Sequence, residues 1–229
     1  MPAHHPLDRP VWGALTTRQA ALAIGGPQAV RIDPAYGLFA AAADRAPSSL
    51  AALGALLPEA GEVAMVEAED WPDIPGAIAQ PPADVTQMVA GRDLKLVEAD
   101  GYDIVDLSDF DAPEMFALAA LTRPGPFFER THRLGDFVGV RIDGQLVAMA
   151  GERMRLPGFT EVSGVCTHPD HRGHGYAAAL MSVVAGRIQG WGETPFLHVY
   201  AHNAGAIRLY EALGYRIRRV MKMTVLKRA

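Results

Sequence analysis

The residue pattern predicts a mixed α/β fold, a central sheet with helices on its faces. Three observations carry this. An Asp143-Gly144 pair separates two apolar strand-like runs, a hairpin signature. A strand at 161–167 leads through a glycine-interrupted loop into a long helix, with Ala177, Leu180, Met181, Val184 and Ile188 at helical spacing. A shorter helix with Asn203 as its cap, stopping at Gly214, then precedes a final strand at 217–226.

In chain order, the first hundred residues give weaker signals. Residues 15–24 and 49–57 read as helices, the second capped by Ser48 or Ser49 and followed by Pro58. Residues 62–67 alternate like a strand, and 71–82, rich in Pro and Gly, form a loop. The polar segment Glu98-Ala99-Asp100-Gly101 is the candidate boundary between a domain over 1–100 and another over 103–229. Beyond it, 104–107 is a short strand. Asp111 caps a helix with Pro113 and Glu114 in its first turn and Leu118 and Leu121 on its inner face. Strands follow at 137–141, 146–153, 161–167 and 196–201.

Composition bounds the function. The chain has 229 residues, 49% hydrophobic and 21% charged, enough apolar material for a sizeable core. A net charge of −5 argues against holding nucleic acid by bulk positive charge. Cys166, the sole cysteine, allows neither an intramolecular disulfide nor a CxxC zinc site. No secretory signal and no apolar run near roughly 18 residues is visible, so a soluble cytoplasmic protein is expected. Residues 1–102 carry 6 Lys and Arg against 13 Asp and Glu, whereas 103–229 carry 15 against 13. An anionic ligand therefore belongs with the second part. The first part shows no constellation of catalytic side chains and is read as a packing or dimerisation domain.

The chemistry concentrates where strand 161–167 runs through His168-Pro169-Asp170-His171 into Arg172-Gly173-His174-Gly175-Tyr176-Ala177. Glycines let backbone amides approach an anion, and the first helical turn adds orphan donors and a positive dipole end. Arg172 adds a charge-assisted contact. This is a phosphate cradle, but neither a Walker A loop nor a Rossmann fingerprint. His168, His171 and His174 recur every third residue; on such a loop they are read as solvent-exposed, with no metal expected. Cys166, mid-strand, is read as a small buried hydrophobe and not a nucleophile.

At these residues the chain resembles the GNAT superfamily of acyl-CoA-dependent N-acetyltransferases. The family pattern Arg/Gln-x-x-Gly-x-Gly/Ala reads here as Arg172, Gly175 and Ala177. A second element, Asn-x-x-Ala-x-x-Leu-Tyr-x-x-x-Gly-Phe/Tyr, reads as Asn203, Ala206, Leu209, Tyr210, Gly214 and Tyr215. The resemblance covers 103–229. It implies a central mixed, largely antiparallel sheet with helices on both faces, behind an N-terminal α/β domain that is a candidate degenerate copy of the same fold.

The resemblance also implies roles. Acetyl-CoA is the cosubstrate, its pyrophosphate on Arg172 and the amides of Gly173, His174, Gly175, Tyr176 and Ala177. Its pantetheine arm runs along Val165, Cys166 and Thr167, in a wedge where strands 161–167 and 196–201 splay. Asn203, Ala206 and Tyr210 line its path. Glu161 is the candidate base, acting through a water, and Tyr210 the acid for the departing thiolate. A backbone N–H near Val165 holds the oxyanion. As a purely structural residue, Glu161 would instead pair with Arg153 or Arg155 on the neighbouring strand, and Tyr210 would be a core aromatic. His198 or His202 is a candidate for the amine pocket by location alone. The cluster Arg216, Arg218, Arg219 and Lys222 reads as a solvated face, or as a site for the 3′-phosphate of CoA or an acidic substrate.

The expected reaction is acetyl transfer from acetyl-CoA to a primary amine, small-molecule or protein, without a covalent enzyme intermediate. The alternative is a non-catalytic acyl-CoA-binding module. Neither nucleic acid nor membrane is an expected partner, and the apolar fraction permits a homodimer.

Overall fold

The computed structural model describes residues 5–91, 94–97 and 101–229. In chain order these form α1 (Pro10–Leu15), β1 (Ala23–Gly25), β2 (Ala29–Ile32), β3 (Ala40–Ala42), α2 (Pro47–Ala55), β4 (Val63–Glu67), β5 (Ala77–Ala79) and β6 (Ala83–Ala90). There follow β7 (Ile104–Leu107), α3 (Ala112–Thr122), β8 (Phe137–Ile142), β9 (Gln145–Leu156), β10 (Phe159–Thr167), α4 (Tyr176–Gly190), β11 (Thr194–Tyr200), α5 (Ala204–Ala212) and β12 (Tyr215–Arg228).

The fold is the mixed α/β arrangement the pattern implies. Nine strands make the main sheet in the order β4-β12-β6-β11-β10-β9-β8-β7, with β5 also on β12. Among its described pairings only β10–β11 is parallel. A small sheet, β1-β2-β3, stands apart. The β8–β9 hairpin turns at Asp143 (φ 50°) and Gly144 (φ 83°), the left-handed pair that a two-residue turn requires.

Residues 63–90 supply strands to the same sheet as 104–228, and β6 lies between β11 and β12, antiparallel to both. The first ninety residues therefore build the small sheet and part of the large one, with no nine-stranded sheet of their own. Of the segment expected to divide the chain, Glu98, Ala99 and Asp100 lie outside the described residues. Two carboxylates of the first part are used internally. Arg218 and Arg219 both bond Asp8 (2.5 and 3.0 Å), and Lys222 bonds Asp84 at 2.7 Å. These three side chains thus clamp β12 to the N-terminal segment and β6, where the sequence suggested a solvated or phosphate-facing cluster.

Of four apolar clusters among the described residues, the two largest lie against the sheet. Leu180, Met181, Val184 and Ile188 of α4 pack with Met88, Val162 and Leu197. Leu7, Val11, Phe39, Val66, Val85 and Phe196 form the second. Consecutive residues Phe196 and Leu197 fall into different cores, as the alternation of a strand buried on both faces demands.

Four local expectations are corrected. The helix expected over 15–24 is α1, ending at Leu15. Thr16 Oγ1 donates back to the Trp12 carbonyl (2.6 Å) and the Gln19 amide to the Ala14 carbonyl (2.9 Å), which closes the turn before residue 20. α2 begins at Pro47 with Ala46 at its N-cap position, because proline's fixed φ suits a first helical residue; Ser49 is buried inside it. Asp111 stands before α3, but its carboxylate accepts from the Ser108 amide (2.8 Å) and Arg141 (2.5 Å) and from no helix amide. Leu121 is exposed, and Met115, Leu118 and Ala119 make the inner face of α3.

Candidate active site

β10 and β11 pair only at Phe159↔Thr194, Thr160↔Pro195 and Glu161↔Phe196. Beyond Glu161 they part: β10 stays with β9, and β11 stays with β6. The β9–β10 register shifts between Ser163 and Cys166, at Gly164 (φ 65°), where an added Cβ would lie 2.8 Å from Phe137 Cε1. The bulge turns the backbone of 164–167 along the opening.

At the mouth of the wedge, Gly173 (φ 83°) and Gly175 (φ 82°) take left-handed conformations that a Cβ would oppose. Gly175 is the N-cap of α4 and brings no side chain to its amides, so the helix starts with uncapped donors. Tyr176, buried, packs edge-on against Tyr102 (5.0 Å between centroids) and stacks on His174 (5.5 Å), and Tyr102 Oη donates to the His174 carbonyl. These contacts fix the loop while residues 172–175 stay exposed. Opposite, Asn203 Oδ1 accepts from the Ala206 amide (3.2 Å), the cap that starts α5.

Residues 165–167, 172–177, Asn203, Ala206 and Tyr210 all line one cleft of about 700 Å³. Every residue expected to touch the cosubstrate is thus brought together. Burial raises the Tyr210 hydroxyl to about 12 and the Cys166 thiol to about 11, so both stay protonated at neutral pH. A nucleophilic thiolate at Cys166 is disfavoured accordingly.

Glu161 differs from the expectation. It sits at the apex of the wedge with no solvent exposure and outside the cleft's lining. Arg153 Nε and Nη2 donate to its two oxygens at 2.8 and 2.7 Å, and His198 Nδ1 lies 2.7 Å from Oε1. Burial alone would raise this carboxyl, but Arg153 and then His198 outweigh it and hold the group at about 2. Such a carboxylate is a weak proton acceptor. Of the two pairings available to it, the structure adopts the one with Arg153; Arg155 bonds Glu152 instead.

Sequence reasoning missed the rest of this network. Arg218 Nη1 donates to Gln87 Oε1 (2.7 Å), which leaves the Gln87 amide nitrogen for the Leu7 carbonyl (2.9 Å) and His198 Nε2 (3.0 Å). With Gln87 donating, His198 Nε2 must accept, so Nδ1 carries the proton and donates a hydrogen bond to Glu161. Gln87 carried no signal, because nothing local places β6 beside β11. Arg153, one of the two partners the sequence offered Glu161, is reached only through a bulge: Phe159 pairs Leu156 and Thr160 pairs Arg155, which by count sets Met154 opposite Glu161, but the register shifts before Val162 pairs Glu152.

Comparison with known proteins decides the family. A solved acetyltransferase of the GNAT family from Novosphingobium aromaticivorans is 49% identical, covering 99% of this chain and 100% of that one, with a TM-score of 0.91. This chain belongs to the GNAT family. A profile for FR47-like proteins also matches residues 137–223, which hold both motifs. The fold is shared with a GCN5-related N-acetyltransferase from Kribbella flavida (20% identity, 93% of each chain, TM-score 0.62). It is shared too with a GCN5-related N-acetyltransferase-like protein from Streptococcus suis (17% identity, 95% and 92%, TM-score 0.59). No match was found among curated proteins. As a GNAT protein the chain has acyl transfer as its general activity, and no helix among the described residues is long and apolar enough to cross a membrane.

Proposed function

We propose that this GNAT protein moves an acetyl group from acetyl-CoA to a primary amine by direct transfer. One observation carries the reading: strands that part at Glu161 open onto a glycine-shaped helix start with uncapped amides, in a single cleft. Arg172 and the amides of residues 173–177 suit a diphosphate. The backbone of 165–167, deprived of β11 as a partner, suits an amide-bearing arm. Acetyl-CoA supplies the activated thioester carbonyl. An amide near Val165 aimed at the developing oxyanion contributes on the order of 3 kcal/mol.

Tyr210 steadies the leaving sulfur. A thiol has an ordinary pKa near 8.5, well below the Tyr210 hydroxyl at about 12, so Tyr210 donates a hydrogen bond and does not surrender its proton. Glu161 acts as a positioning residue that holds Arg153 and His198. The acceptor ammonium loses one proton to water before attack, and the nitrogen of the tetrahedral adduct gives a second to water as the C–S bond breaks and CoA departs as thiolate.

The closure of Glu161 by Arg153 also favours a second reading, an acyl-CoA-binding module without turnover. Calorimetric titration with coenzyme A and thiol release with an amine panel separate them. Turnover that falls with Tyr210→Phe, together with CoA affinity that falls at least tenfold with Arg172→Ala, supports the enzyme. CoA binding with every amine inert supports the module, and no CoA binding sinks both.

A further inference from the structure

The acceptor side of the cleft narrows the class of amine, on the footing that the chain is an acetyltransferase. Phe39, Val66 of β4, Val85 of β6 and Met223 of β12 give it an apolar wall, and all four lie outside the stretch 172–215 that carries the two cosubstrate motifs. Among the described residues lining the cleft, the charged side chains are Arg123, Arg153 and Arg172, together with histidines, and there is no Asp or Glu. An acceptor with a second ammonium group would bring positive charge among arginines with no carboxylate to meet it.

Arg153 adds a specific contact. Its Nε and Nη2 are taken by Glu161, which makes a neutral pair, and its face lies over the Phe39 ring (5.0 Å). Nη1 makes no hydrogen bond among the described residues. It points toward the stretch 124–126, which shares the cleft, and a Cβ at Gly125 would lie 3.9 Å from it. Glycine there leaves room beside an unused donor.

We infer that the acceptor is an α-amino group flanked by an apolar side chain and a carbonyl or carboxylate oxygen. The side chain rests on Phe39, Val66, Val85 and Met223, and the oxygen accepts from Arg153 Nη1. Both a free apolar amino acid and the first residue of a peptide have this chemistry. Among the described residues lining the cleft there is no carboxylate to take the amine's proton, which points the same way. An α-amine at the start of a chain has a pKa of about 8 against about 10.4 for a lysine-like amine, so near neutrality it offers roughly two hundred times more free base.

The test compares kcat/KM of the full-length enzyme, with acetyl-CoA, for free leucine, leucinamide and a leucine-headed dipeptide. Against them stand 1,4-diaminobutane, the side chain of Nα-acetyl-lysinamide, and 2-phenylethylamine, which lacks the oxygen. At least one leucine compound should exceed the diamine and the lysine side chain by a hundredfold and phenylethylamine by tenfold; which leucine compound leads tells the source. Arg153→Lys keeps a charge on Glu161 but loses the fork, and should raise KM for the leucine compound at least tenfold with KM for acetyl-CoA within twofold. Met223→Glu should shift selectivity toward the diamine. Preference for the diamine or the lysine side chain, or phenylethylamine matching leucinamide, overturns this inference while leaving acetyl transfer standing. Failure of every amine would overturn both.

Discussion

Replacing Glu161 by Gln removes the charge that Arg153 and His198 hold at the apex of the wedge. The folded carboxyl titrates at about 2 against an ordinary 4.5, which corresponds to about 3 kcal/mol of stability at neutral pH. Breaking a buried ion pair from one side typically costs about 3–5 kcal/mol, because the partner is left buried and uncompensated, and Arg153 is only 12% exposed. The two figures agree. Because folding depresses this pKa, the contribution is complete above 4.5 and is lost as pH falls toward 2. At pH 3 about 1 kcal/mol of it remains. Guanidinium unfolding of wild type and Glu161→Gln should show a gap of about 3 kcal/mol at pH 7, shrinking by about 2 kcal/mol at pH 3, with Tm lowered by roughly 6–12 °C at pH 7. A gap under 1 kcal/mol at pH 7, or one that ignores pH, refutes the buried-pair account. The same variant should leave the shape of the pH–rate profile between pH 5 and 8 unaltered. Loss of a limb in that range would restore Glu161 as a base.

Other consequences can be measured separately. Tyr210→Phe should lower kcat by about 10–100-fold with KM for acetyl-CoA nearly unchanged, read by steady-state thiol release, since the hydroxyl is needed only as sulfur leaves. Gly175→Ala forces a Cβ into a left-handed conformation and to 3.2 Å from Tyr102 Oη. It should cost about 1–2 kcal/mol in a denaturant titration and weaken CoA in calorimetry. With its thiol at about 11, Cys166 should react with iodoacetamide at pH 8 roughly a hundredfold slower than free cysteine, followed by mass spectrometry. Turnover should rise with pH toward the pKa of the acceptor amine, because no carboxylate among the described residues of the cleft takes its proton; an inflection that stays fixed when the amine is changed would contradict this.

What the sequence by itself determined is the part of this protein that is local. The Asp143-Gly144 turn, the Asn203 cap and the cradle from Arg172 to Ala177 each depend on a few adjacent residues whose φ values and donors follow from their types. The sequence also offered Arg153 and Arg155 as partners for Glu161, and only the β9–β10 bulge between Thr160 and Val162 decided for Arg153. Tertiary structure alone decided that β6 enters between β11 and β12, and that Gln87 and Arg218 set the tautomer of His198. It alone put Phe39, Val66, Val85 and Met223 opposite the cosubstrate loop. These are pairings across more than a hundred residues, such as Gln87 with His198. Strand alternation shows which faces are buried but not which strand lies beside which, so the carboxylate that the family resemblance marked as a base becomes, once folded, half of a closed ion pair.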